Sequence, residues 1–143
     1  MKVSDICKLK RMRLQTISPE HTVQEATRKL VEFNIGALPV CNDDGDLVGI
    51  ISERDILRLA ASDDCHKVAS MKVGAVMTRN LIIAVPSDRV DSVMHVMTER
   101  RIRHLPILEG RRLIDIISIG DVVKAKLDES DTEIRFLRDY VAG

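Results

Sequence analysis

The stretch Arg101–Lys124, RIRHLPILEGRRLIDIISIGDVVK, decides how the chain folds. His104 to Leu108 reads as a strand, Gly110 marks a tight turn, and Leu113 to Ser118 reads as the returning strand. Leu105, Ile107, Leu113, Ile114, Ile116 and Ile117 give both strands the aliphatic, β-branched character of a pleated, half-buried surface. A helix is predicted to begin near Ser118, which places a hydroxyl and the Asp121 carboxylate in one first turn. An earlier stretch, Gly36–Leu57, GALPVCNDDGDLVGIISERDIL, has the same plan.

The two stretches belong to an internal repeat. Pro19, Val23, Leu38 and Pro39 recur 67 positions later as Pro86, Val90, Leu105 and Pro106. After the turn the offset is 66, and Leu47, Ser52 and Asp55 match Leu113, Ser118 and Asp121. Upstream, KVSDIC resembles KVGAVM, with three extra residues before the proline of the first copy. Each copy is predicted as strand, helix, strand, strand, helix. The opening strands are Leu14–Ile17 and Leu81–Val85. The helices that follow bury Val23, Ala26, Leu30 and Phe33 in one copy, and Val90, Val93, Met94 and Met97 in the other. Ser18-Pro19 or Thr22 opens the first of these helices. Ala37–Cys41, the NDDG turn and Leu47–Ile51 form the first hairpin. The helix after Ser52 is expected to bury Ile56, Leu57 and Ala60; its counterpart carries Val122, Val123 and Leu127. The resulting expectation is an α+β fold with pseudo-two-fold symmetry: repeat one at 1–62, a linker at 63–72, repeat two at 73–128, and a C-terminal amphipathic helix at 129–143. Ile134, Leu137 and Val141 give that last helix its apolar stripe, which is expected to pack on the module or across a dimer interface. A single copy of about sixty residues buries little core, so the two copies should pack as one unit.

Composition narrows the function. In 143 residues, Lys plus Arg and Asp plus Glu number 22 each, so no net charge draws the chain to nucleic acid or anionic membrane. Phe33, Phe136 and Tyr140 are too few aromatics for a single-strand stacking platform. No apolar run approaches the roughly 18 residues of a membrane span, and MKVSDICK lacks the apolar core of a signal peptide. Cys7, Cys41 and Cys65 are odd in number and far apart, as reduced thiols are. A soluble, cytoplasmic protein is expected. His21, His66 and His95 have no metal-ligand spacing, and no P-loop, HExxH or nucleophile elbow points to an enzyme.

Ser52-x-x-Asp55 and Ser118-x-x-Asp121 carry the chemistry. Each fits a capping box, in which serine caps the helix and the acid returns a bond to the cap. Each equally fits a carboxylate that accepts hydrogen bonds from a ribose diol beside a helix N-terminus rich in free N–H groups. The two roles compete for the same oxygens. Lys8, Lys10, Arg11 and Arg13 form a basic patch by the first strand, either a solvated face or a phosphate border.

The doubled pattern G-A-L-P-V…G-x-x-x-S-x-x-D, from about Val3 to Leu127, resembles a tandem pair of cystathionine-β-synthase (CBS) domains, a Bateman module. The resemblance implies two clefts between the copies that bind adenosine-type ligands (AMP, ADP, ATP, NAD(H) or S-adenosylmethionine), with no cofactor required. It implies a homodimer that regulates a separate effector protein, while the neutral charge, few aromatics and lack of a long apolar run argue against contact with nucleic acid or membrane. A module with purely structural interactions and no nucleotide is the alternative. By the same resemblance, Asp121 binds ribose, Ser118 lies beside it, and Ile116 lines the purine cleft with Ile35 and the backbone near Gln15. The other cleft takes Asp55, Ser52 and Ile50, with Ile82 and Ile102 opposite. Arg103 and His104 are expected to reach phosphate in the Asp121 cleft, where the other cleft has only Gly36 and Ala37; Arg54 is a weaker phosphate candidate. Phosphate-bearing ligands should therefore favour the Asp121 cleft. Asp115 departs from the pattern, standing where the first copy has Gly49 and the family prefers glycine.

Overall fold

A computed structural model describes residues 1–10, 12–62 and 65–142, without the side chains of residues 136 and 140–142. The chain runs through α1 (Val3–Leu9), α2 (Val23–Phe33), β1 (Ala37–Cys41), β2 (Leu47–Ser52) and α3 (Glu53–Ala60). A 3-10 turn at Cys65–Ser70 leads into α4 (Val73–Val76), α5 (Val90–Arg100), β3 (His104–Glu109), β4 (Arg112–Ser118) and α6 (Ile119–Ala142). Two antiparallel hairpins, β1–β2 and β3–β4, are the sheets of the two repeats. Their registers correspond, Ala37 facing Ser52 and His104 facing Ser118. Gly45 and Gly110 turn the hairpins at φ of 83° and 63°, a region that favours glycine.

The predicted opening strands shrink to single residues. Ile17 pairs in parallel with Val40, and Ala84 with Ile107. Proline follows two residues later in each copy, at Pro19 and Pro86, and cuts the ladder because it offers no N–H. Thr22, not Ser18, caps α2, its hydroxyl accepting from Glu25 N–H at 3.2 Å. In α3, Ile56 and Leu59 pack on the core while Leu57 is 70 % exposed, so the expected burial of Leu57 and Ala60 fails. The second-copy helix does not stop before the tail: α6 runs unbroken for 24 residues. Ile134 and Leu137 on it are exposed and do not pack on their own module. Val141 lies where side chains are not described. Among the described residues no helix is long and apolar enough to cross a membrane.

The two cores exchange their leading helices. Val3 and Ile6 of α1 are buried among Val90, Met97, Leu105, Ile107, Ile117 and Val122 of the second repeat. Val73 of α4, with Met77, is buried among Ile17, Val23, Leu38, Val40 and Ile51 of the first. Matching backbone bonds fasten the exchange. Val3 N–H reaches Asp88 C=O at 2.8 Å and Ser4 N–H reaches Pro86 C=O at 3.0 Å. Their counterparts join Val73 to His21 at 2.8 Å and Gly74 to Pro19 at 2.9 Å. Each repeat is thus completed by a segment of the other, which holds the site-bearing hairpins in one body.

Candidate functional site: two unequal clefts

Each cleft is built where a hairpin passes into a helix. Ile51 and Ile117 are fully buried, so the flanking strand positions Ile50 and Ser52, Ile116 and Ser118 turn toward the other face of the sheet. The first N–H of each helix is then taken by the opposite strand's approach: Glu53 N–H donates to Gly36 C=O at 2.9 Å, and Ile119 N–H to Arg103 C=O at 2.8 Å. At the first helix turn the acids cap. Asp55 Oδ2 accepts from Ser52 N–H at 2.9 Å and from Ser52 Oγ at 3.0 Å. Asp121 Oδ2 accepts from Ser118 N–H at 2.8 Å, and Ser118 Oγ accepts from Asp121 N–H at 3.0 Å. Capping uses Oδ2 in both copies, and among the described residues no hydrogen bond reaches Oδ1. The cap and a diol acceptor therefore use different oxygens.

The Asp55 cleft is an open cavity of about 220 Å³ lined by Ile50, Ser52, Glu53, Arg54, Asp55, Arg58, Thr78, Arg101, Ile102, Arg103 and His104. Arg103 and His104, expected beside Asp121, line the Asp55 cavity, and His104 also feels the Asp121 charge. The start of β3 lies against the start of α3 across the pseudo-two-fold: a Cβ on Gly36 would come within 3.0 Å of His104 Nε2 and 3.4 Å of Glu53 Oε1. Four arginines face two carboxylates in this cavity, and Arg101 is held at φ 55°, a left-handed conformation uncommon for a non-glycine residue. Burial depresses the His104 pKa below its ordinary value, against the pull of Glu53 and Asp121 and with the push of Lys10 and Arg103.

The Asp121 side differs. The Lys10 ammonium contacts Asp121 Oδ2 at 3.3 Å, Asp115 Oδ1 at 3.4 Å and the carbonyl oxygen of Ile116. The cavity at Asp121, about 520 Å³, opens between α1 and α6 against Ile6, Leu9, Lys10, Met12, Lys124, Ala125 and Asp128, without Ile116 or Ser118. Asp115 also faces Cys7; burial first, then this carboxylate, push the Cys7 thiol up to about 12. Of the other expected residues, Ile102 joins Asp55, whereas Ile82 lines a separate cavity with Val93 and Leu105. Ile35 faces Glu53 and Ile56 beside α2, Ala37 is buried behind Gly36, and the Gln15 side chain donates to Arg13 C=O at 3.5 Å. Sequence reasoning missed Arg58, Thr78 and Arg101, and placed Lys10 only in a patch. Extending the offset of 67 to Arg11, which is outside the described residues, and to Asn34 would have paired them with Thr78 and Arg101.

The CBS domain family model matches residues 3–62 and 73–128, and the chain belongs to that family as a tandem CBS pair. It is 38% identical over 128 residues to the mitochondrial CBS domain-containing protein CBSX3 of Arabidopsis thaliana, covering 87% of this chain and 62% of that protein's length. Its fold matches a CBS-domain containing protein of Agrobacterium tumefaciens with a TM-score of 0.83 at 36% identity, over 88% of this chain and 99% of the other. It matches CBSX2, solved in complex with AMP, with a TM-score of 0.76 at 30% identity, over 90% and 98%.

Proposed function

We propose that the chain is a non-enzymatic regulatory module that senses an adenosine-type ligand and signals to a separate protein partner in the cytoplasm. The observation that carries this reading is the Asp55 cleft, where a carboxylate oxygen without a hydrogen bond among the described residues stands with four arginines over an apolar wall of Ile50 and Ile102. A carboxylate accepts from a ribose diol, apolar side chains hold a purine, and guanidinium forks match phosphate. AMP bound to the related CBS pair supports the ligand class. A phosphate-bearing ligand then prefers the Asp55 cleft, because the Asp121 side sets Asp115, Asp121 and Asp128 against Lys10 and Lys124. Pairing of two copies suits exposed Val31 and Leu57 on one side and Val123 and Leu127 on the other.

Titration calorimetry with AMP and adenosine tests the reading. Asp55→Asn should weaken both about tenfold or more and lower stability without ligand by roughly 1 kcal/mol, because the capping oxygen is altered too. Arg103→Ala should weaken AMP by roughly tenfold or more and adenosine far less. No thermal shift with AMP, ADP, ATP, NAD(H) or S-adenosylmethionine would instead leave a ligand-free interaction module.

His104 adds a pH dependence. Its folded-state pKa is depressed, so the unfolded chain binds the proton more readily. The stability this contributes is complete above about pH 6.5, the ordinary histidine value, and is lost as pH falls through the folded value. Phosphate beside the ring favours the charged form and opposes that loss. The AMP advantage over adenosine should therefore widen as pH drops below about 6.5, and His104→Gln should flatten the trend. An AMP-to-adenosine ratio independent of pH in the parent protein would remove His104 from the phosphate site.

A further inference from the structure

We infer that Lys10 is an internal occupant of the Asp121 cleft, one that an adenosine-type ligand must displace before it can enter the space between Ile116 and that carboxylate. The inference rests on the sensing function proposed above and adds a rank order to the two clefts. In the first copy the interval between Ile50 and Asp55 is cavity, and the Ile50 carbonyl is satisfied from the side by Thr78 N–H at 2.9 Å. The corresponding interval between Ile116 and Asp121 is spanned by the Lys10 side chain, and its ammonium bonds the Ile116 carbonyl.

The cause is readable in the repeat. The helix α1 is 7 residues long where α4 has 4, which matches the three extra residues of the first copy. The lengthened helix ends at Leu9 and delivers Lys10 over the strand end. Asp115, the departure from Gly49, then has a physical account as the second carboxylate for that lysine. An ammonium has three donors, and Asp115, Asp121 and the Ile116 carbonyl are three acceptors. The Lys10 side chain is 23% exposed, so these contacts are screened less than a surface pair.

The test has one arm without ligand and one with adenosine, whose missing phosphate takes the arginines out of the comparison. Amine acylation followed by mass spectrometry should label Lys10 at least tenfold more slowly than exposed Lys8. The gap should close when Asp115→Asn and Asp121→Asn are combined. In calorimetry the parent should bind adenosine at Asp55 at least tenfold tighter than at Asp121. Lys10→Met with Asp115→Gly should bring the Asp121 cleft to within a few-fold, an increase that Asp121→Asn then abolishes; Lys10→Gln serves if the double variant does not fold. Equal labelling of Lys10 and Lys8, or equal cleft affinities in the parent, refutes the internal occupant while leaving adenosine sensing intact. Absence of adenosine binding in every variant refutes the sensing function and the displacement with it.

Discussion

A chain lacking residues 1–10 is expected to lose its second repeat first, although the cut lies in the first. Val3 and Ile6 are 0% and 3% exposed inside the second core. Full burial of each aliphatic side chain stabilises by about 1.5–3 kcal/mol. The truncation therefore removes roughly 3–6 kcal/mol from a domain whose whole stability is about 5–15. It also strips Asp115 and Asp121 of their shared cation. Hydrogen exchange is the measurement. Amides of β3 and β4 should lose protection ahead of those of β1 and β2, and the reverse order would refute the exchange of helices.

The second large effect is expected from Gly49→Asp, which copies the residue its repeat partner tolerates. Gly49 is buried in β2, and a Cβ there would lie 2.5 Å from Met77 Sδ, 2.8 Å from Met77 Cγ and 3.0 Å from the Thr78 carbonyl oxygen. Overpacking costs about 1–3 kcal/mol, and a buried carboxylate without a cation adds several more. A melting temperature lower by roughly ten degrees or more is expected. Asp115 escapes this penalty because the residue matching Met77 is the smaller Cys7, and because Lys10 supplies the charge. Adding Met77→Cys should accordingly recover part of the loss. Unchanged melting in Gly49→Asp would show that the two strand positions are equivalent after all.

Particular residues show what could be read before the fold was known. The hairpins were legible because β-branched runs flank Gly45 and Gly110, and strand character and left-handed turns are local properties. The capping role of Ser52 and Ser118 was legible for the same reason. Leu57 was not, since helical spacing marks an apolar face without saying whether anything in the chain covers it. The likeness of KVSDIC to KVGAVM was visible, yet nothing in a local pattern says that each enters the other copy's core. Arg103 was assigned to the Asp121 cleft by family resemblance, which carries a role over along the chain and not through space. The pseudo-two-fold brings the start of β3 against α3, so the nearer acid in space is Asp55. Lys10 was read only as part of a basic patch because its three acceptors lie more than a hundred residues downstream.

The exchange of leading helices also sets an order on the ribosome. The first core closes only when Val73 and Met77 have emerged, so a complete first copy is still missing a wall when its own sequence ends. The helix α1, made before both hairpins, must wait for Leu105, Ile117 and Val122. At 7 residues it is too short to hold a helix alone in water. The leading helix of the pair is thus the last to be seated, and Lys10, carried at its end, reaches the Asp121 carboxylate only once the second repeat has emerged.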